Sequence, residues 1–287
     1  MHAASSAPPV RWRLVDTPPA PGAWNMALDE ALAGSVRGGG APVLRFYRWS
    51  PPCLSLGRNQ PAEGYDRAAI EAMGLDVVRR PTGGRAVLHD RELTYSVAVR
   101  DGALGSPRMA YAAVNRALLA GLALLGVPAA LHGRGGERAP PPSLAPCFGR
   151  PVEGEVTAAG AKLVGSAQRR WAGVLLQHGS IPLEDDQSAV AGLLREPGPV
   201  ARPPATLAAL LGRVPVWDAL AAALAEGWRA ALGVELAPGE ATAEELRSAA
   251  ELRSRYEDPA WTWHGTAPLA PAPAGGERTT LTREVMG

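Results

Sequence analysis

Glu155-Val156-Thr157-Ala158, Ala161-Lys162-Leu163-Val164-Gly165-Ser166-Ala167 and Val174-Leu175-Leu176-Gln177-His178-Gly179-Ser180-Ile181 are three apolar-rich runs in close succession. Ala159-Gly160 joins the first two, and Arg169-Arg170-Trp171-Ala172-Gly173 joins the last two. Runs of this length with Gly-containing connections predict an antiparallel meander. Alternation on a strand would place Lys162, Val164 and Ser166 on one face, with Leu163, Gly165 and Ala167 on the other. Upstream, Val43 to Tyr47, Cys53 to Leu56, Asp76 to Arg80, Arg85 to His89 and Thr94 to Val99 read as further strands. Helical spacing marks Trp24 to Val36, stopped by Gly38-Gly39-Gly40, and a short segment Asp66 to Met73 before Gly74. Arg108 to Leu125 is the strongest helical pattern.

From about Ala201 the pattern turns helical and Ala/Leu-rich, at Thr206 to Leu211, Trp217 to Leu232 and Ala243 to Tyr256. Strands mixed with helices and hairpin-like turns predict an α+β fold. The expected organisation is a loose N-terminus (1–9), a catalytic domain with a mixed sheet and flanking helices (10–200), a small helical C-terminal part (201–264) and a flexible tail (265–287). The Gly-, Pro- and Arg-rich stretch Gly133 to Pro146 is long for a connection inside a compact domain, as functional or disordered loops are.

Lys162 is the only lysine of 287 residues; the remainder of the 29 Lys+Arg are arginines. Lysine offers a compact amine with a tunable proton, which the broad and permanently charged guanidinium cannot replace. The formal net charge is +1, so no global field selects nucleic acid or an anionic membrane. Arg79, Arg80, Arg85, Arg134, Arg138, Arg150, Arg169 and Arg170 concentrate positive charge near the Gly-rich segments, although such residues also solvate surfaces. The longest apolar run, Leu118 to Leu125, is too short to span a bilayer, and no signal-peptide core precedes it. Two distant cysteines make neither a disulfide framework nor a metal knuckle. With no Cys-x-x-Cys, His-Glu-x-x-His or Walker loop, no metal or cofactor is expected. These features suit a reducing cytoplasm with free thiols.

Four segments carry candidate chemistry. In Arg79-Arg80-Pro81-Thr82-Gly83-Gly84-Arg85-Ala86-Val87-Leu88-His89-Asp90, glycines between strands let backbone approach a ligand and expose N–H donors. Arg79, Gly83, Gly84, Arg85 and His89 are its candidate binding residues, and His89 fits a hydrogen-bonded structural histidine equally well. The second segment supplies Lys162, Gly165 and Ser166; no Gly-x-Ser-x-Gly elbow surrounds the serine, whose expected role is packing or hydrogen bonding. The third is Cys147 in Pro146-Cys147-Phe148, a thiol at the end of the long loop and a candidate nucleophile that a nearby lysine would activate. Cys53, inside an apolar strand, fits packing. The fourth is His178, either lining the pocket or hydrogen-bonded in the core.

Together with Asn25-Met26-Ala27-Leu28-Asp29-Glu30 and Ser55-Leu56-Gly57-Arg58-Asn59-Gln60, these segments resemble the catalytic family of lipoate-protein ligases, biotin ligases and octanoyltransferases. Within it the chain is most similar to octanoyltransferases of the LipM type. Cys147-Phe148, Glu155-Val156 and Lys162 to Gln168 reproduce their order, and Arg85 stands where ligases usually carry a third glycine. The resemblance implies transfer of octanoyl from acyl carrier protein to a lysine of a lipoyl domain such as glycine cleavage H protein. Cys147 would carry the acyl group, Lys162 would assist, no ATP would be needed, and apolar residues around Val87 and Leu163 would shape an acyl tunnel. The alternatives are an ATP-dependent lipoate-protein ligase, an octanoyl amidotransferase acting between lipoyl domains, and a non-catalytic carrier-binding accessory protein.

Overall fold

A computed structural model describes residues 10–133, 147–148, 151–184, 187–196 and 202–265. The expected loose N-terminus, the loop beyond Gly133 and the tail beyond residue 265 lie outside the described residues. Strand β1 (Arg11–Asp16) leads into helix α1 (Gly22–Arg37), then β2 (Val43–Tyr47) and β3 (Cys53–Leu56). A short α2 (Arg67–Ala72), capped by the Asp66 carboxylate, precedes β4 (Asp76–Arg79), β5 (Val87–His89) and β6 (Glu92–Arg100). Helix α3 (Pro107–Leu124) starts with Ser106 as cap and proline in its first turn, a position that needs no N–H. Next come β7 (Ala129–Leu131), β8 (Val156–Ala158), β9 (Ala161–Lys162), β10 (Gly165–Trp171) and β11 (Val174–Pro182). A 3-10 helix (Gln187–Leu193), α4 (Leu207–Leu211), α5 (Trp217–Leu232), β12 (Glu235–Gly239), α6 (Ala243–Glu257) and a π-helical turn (Ala260–His264) follow.

The main sheet has the order β10-β11-β6-β2-β1-β12, antiparallel from β10 to β2 and parallel from β2 to β12. Its faces separate by strict alternation. Leu44, Phe46, Leu93, Tyr95 and Val97 pack with Val114, Leu118, Leu122, Leu224 and Trp228 of α3 and α5. Val43, Tyr47 and Ala98 pack on the opposite face with α1, and Ala249, Tyr256 and Trp261 complete that layer. A smaller sheet, β4-β3-β5, packs Leu54, Leu56 and Leu88 over Ile70, Val190 and Leu193. This is the expected α+β arrangement. Among the described residues no helix is long and apolar enough to cross a membrane.

Two expectations change. The run Ala161 to Ala167 is not one strand: it breaks at Leu163-Val164, and both amides bond back to the Val156 carbonyl. Lys162 therefore belongs to a third sheet, β7-β8-β9, while Ser166 belongs to the main sheet, so they share no strand face. The C-terminal part also adds a strand, β12, at the edge of the main sheet beside β1. Its Pro238 and Gly239 obscure it in the sequence, and an edge is where a sheet tolerates proline.

Candidate active site

Cys147 sits in a turn, half-buried, its N–H donating to the Ala86 carbonyl just past the Gly83-Gly84 turn. Lys162 Nζ reaches the Cys147 sulfur at 3.5 Å and the Cys147 carbonyl at 3.1 Å. The same ammonium donates to Glu155 Oε1 at 2.7 Å, and Glu155 Oε2 accepts from the Val152 N–H at 2.9 Å. Lys162 is 3% exposed, so this cluster is shielded from water on the lysine side. Burial alone would drive the ammonium to lose its proton. The negative charges of Cys147 and Glu155 and their hydrogen bonds outweigh it, and the pKa is held above its ordinary value. A cation at this distance stabilises a thiolate by on the order of 4 kcal/mol at an effective dielectric near 20, an effect that Glu155 reduces.

The strand break explains how the lysine and the sulfur meet. A Cβ added at Gly165 would lie 2.9 Å from the Phe148 ring and 3.6 Å from the Cys147 sulfur. Only a residue without a side chain lets β10 pass under Cys147-Phe148. Gly165 is thus the strand residue facing the thiol, and Ser166 turns to the opposite face, where its hydroxyl meets Tyr95 at 2.7 Å.

The remaining expected residues occupy distinct places. Gly84, exposed and at φ +90°, and the half-buried Gly83 form an open turn beside Ala167. The Arg85 carbonyl accepts from Arg80, as does that of Gly83. Arg79 is buried and clamps main chain: Nε donates to Trp261 and Thr262, and Nη1 to Gly57, Arg58 and Gln60. Its guanidinium is spent on these carbonyls rather than on the Cys147 cluster. His89 is a buried, satisfied histidine, with Nδ1 2.6 Å from Glu92, Nε2 2.7 Å from Ser55 and its ring stacked on Trp49. His178 joins Thr82 (2.6 Å) to Asp29 (3.3 Å), and burial holds its imidazole below the usual histidine range. His178 thereby braces the turn through Thr82, while His89 fixes the strand beside it through Ser55. Val87 is buried and Leu163 is fully enclosed in the core.

Three contributors escaped the sequence reading. Glu155 reads in the sequence as the head of the Glu-Val strand that shares the resemblance, without a role of its own; a carboxylate seven residues before the sole lysine is the signal for its pairing. Arg80 donates to Ser55 and to the carbonyls of Gly83 and Arg85, and burial lowers its pKa while a charge on Cys147 raises it. It is thus a second buried cation, and it holds the Gly83-Gly84 turn. Asp29 anchors the layer beneath, paired with Arg45 at 2.7 Å and bonded by Tyr47 and Ser96. Cys53, by contrast, is fully buried, and burial pushes its thiol well up. A cavity of about 770 Å³ between α1, the β10–β11 turn and α6 contains none of these groups, so chemistry rather than volume locates the site.

A buried lysine clamped on a cysteine beside a glycine turn, in this α+β fold, coincides with a match over residues 21–229 to the lipoyl protein ligase A/B catalytic domain. The chain belongs to this family. Octanoyltransferase LipM of Kyrpidia tusciae is 43% identical over 88% of this chain and 98% of its own length. Octanoyltransferase LipM of Symbiobacterium thermophilum is 45% identical over 84% and 93%. Among solved structures, a lipoate-protein ligase A bound with ATP superposes with a TM-score of 0.73 at 26% identity, covering 88% of this chain and 98% of that one. A bipartite lipoate protein ligase from Thermoplasma acidophilum gives 0.74 at 24% identity, over 92% and 100%, and speaks to the fold alone.

Proposed function

We propose that the chain is an octanoyltransferase of lipoate biosynthesis, working in the cytoplasm, that carries the acyl group on Cys147 between acyl carrier protein and a lipoyl-domain lysine, such as that of glycine cleavage H protein. The observation that carries this reading is the Lys162 ammonium 3.5 Å from the Cys147 sulfur, held there by Glu155. In the first step the Cys147 sulfur attacks the octanoyl carbonyl carbon. A new S–C bond forms, the carrier's S–C bond breaks, and the carrier sulfur leaves with the proton that Cys147 gave up. In the second step the acceptor amine attacks the acyl-enzyme, the amide N–C bond forms and the Cys147 S–C bond breaks. The amine, with a free pKa of about 10.4, must shed one proton on entry and a second as the amide forms. One of them restores the cysteine thiol and the other goes to solvent.

Lys162 serves as a fixed cation in this scheme. Its raised pKa favours stabilising negative sulfur and oxygen over removing a proton at rest. Because the Gly83 and Arg85 carbonyls turn towards Arg80, trans peptide geometry turns the Gly84 and Ala86 N–H groups the other way. In this scheme those donors would hold the thioester oxygen, an effect worth about 3–4 kcal/mol for one donor. The reacting residues fall within 10–200, taken as the catalytic domain, and residues 202–264 buttress it.

The test is intact-protein mass after incubation with octanoyl-acyl carrier protein without ATP. An octanoyl adduct on the native chain, absent from Cys147→Ser, is the expected outcome. No adduct, with ATP-dependent lipoylation of a lipoyl domain instead, would assign the chain to the ligases.

A further inference from the structure

Two arginines of the site face have no use in the chemistry above. Arg58 and Arg169 are half-buried, and the Nη1 of each is shielded from solvent without a hydrogen-bond partner. They lie close enough that the charge of Arg58 works against that of Arg169. Glu30, the carboxylate that Arg169 feels, is already bonded by Arg255 and Tyr256. The Arg58 guanidinium lies over the Trp261 ring at 5.6 Å and that of Arg169 over the Trp171 ring at 4.8 Å, but among the described residues neither has a carboxylate partner, and an anion would supply the acceptor that each buried Nη1 lacks.

Their position says which anion. Gly165, Ala167 and Arg169 alternate onto one face of β10, while Ser166, Gln168 and Arg170 bond to Tyr95, Pro107 and Gly105 on the other. Along the first face, Gly165 meets the Cys147 sulfur and Ala167 meets the Gly84 turn. Arg169 follows, about 13 Å from Gly165 at a rise of ~3.3 Å per residue. Arg58 is anchored at the same turn from its other side, its N–H donating to the Thr82 carbonyl, and its guanidinium reaches the Trp261 ring, which Arg255 also approaches. Sulfur, glycine turn and arginine pair thus form one track along the edge strand of the main sheet. An acyl thioester on a pantetheine arm has this layout: thioester at one end, extended amide-bearing chain between, phosphate at the other.

We infer that Arg58 and Arg169 bind the phosphate of the donor's phosphopantetheine arm and so set the depth at which the thioester reaches Cys147. The inference rests on the acyl-enzyme reading and adds a phosphate subsite to it.

The experiment compares acylation of Cys147 by octanoyl-phosphopantetheine and by octanoyl-pantetheine, below saturation, in the native chain, Arg58→Gln, Arg169→Gln and the double variant. Thermal melts check that each variant folds. The ratio of the two rates is the readout: at least tenfold in favour of the phosphorylated donor in the native chain, falling towards one in the double variant. A native ratio near one, or an unchanged ratio in the double variant, would overturn the site. Loss confined to the intact carrier protein would assign the arginines to the carrier's acidic surface and overturn it as well. If no donor acylates Cys147, the acyl-enzyme reading fails, and calorimetry with free phosphopantetheine still tests the subsite: binding lost in the double variant supports it, and no binding sinks it. Tighter binding of ATP than of phosphopantetheine at these arginines would overturn the assignment to the donor arm.

Discussion

Lys162 owes its importance to what surrounds its Nζ. Three acceptors converge on it, the Cys147 sulfur, the Cys147 carbonyl and Glu155, in a space that is almost closed. A guanidinium is wider and directs its donors in a plane, so it cannot satisfy the same three atoms. Lys162→Arg is expected to lower the rate of Cys147 acylation by at least about tenfold, with the loss in kcat exceeding any change in KM, since a fixed charge acts on the transition state. Stopped-flow acylation measures both, and activity within twofold of native would remove the role assigned to this lysine. Glu155→Gln should loosen the same contact, because it removes the charge that helps keep the amine protonated.

Helix α3 and helix α5 cross backbone to backbone. A Cβ at Gly227 would stand 2.2 Å from the Gly121 nitrogen and 2.5 Å from the Ala117 carbonyl. No side-chain rotation relieves a clash with main chain, so Gly227→Ala must spread the helices and should cost at least about 1–3 kcal/mol. Gly34 in α1 gives the opposite sign. Its Cβ would meet nothing within 4 Å, and alanine there should stabilise by about 0.5–1 kcal/mol through helix propensity alone. Denaturant midpoints for the pair check both directions; equal shifts of the same sign would contradict the packing described.

The molecule as a whole should respond to acid in two stages. His178 is held neutral by burial, so its folded pKa lies below the ordinary ~6.5. Below that pH the unfolded chain binds a proton that the folded chain refuses, and stability falls until the folded pKa is reached. Asp29 and Glu92 are buried carboxylates; burial would raise their pKa values, but Arg45 and His178 for the first and His89 for the second hold them down. Their stabilisation is present above the unfolded carboxylate range near ~4 and is lost as pH falls through their folded values. Melting temperature against pH should show both declines; His178→Gln should flatten the upper one and, because His178 helps hold Asp29 down, weaken the Asp29 share of the lower one while leaving that of Glu92. The C-terminal turn matters at this scale too. Removing residues 258 onward would leave the Arg79 Nε without its two acceptors and the inner layer without Trp261. A loss of several kcal/mol, at about 2–4 °C each, should appear as a lower melting temperature.

Much of the architecture was open to reading in the chain. Periodicity and punctuation located α1, α3, α5, α6 and the strands β2 to β6, because apolar alternation and glycine or proline stops are local properties of sequence. The lone lysine, the cysteine after the long loop and the Gly83-Gly84 turn were marked by residue type alone. What the chain could not disclose was pairing across distance. The break at Leu163-Val164 follows from Val156 accepting two amides, and the choice of Gly165 over Ser166 follows from the bulk of Phe148. Arg79 and Arg80 are adjacent and alike in sequence, yet one clamps a loop and the other holds the Gly83-Gly84 turn, because neighbours along extended backbone point to opposite sides. Sequence determined which chemistry was present, since that is carried by residue identity; only the tertiary structure decided which groups meet, since a distance between remote residues is set by packing.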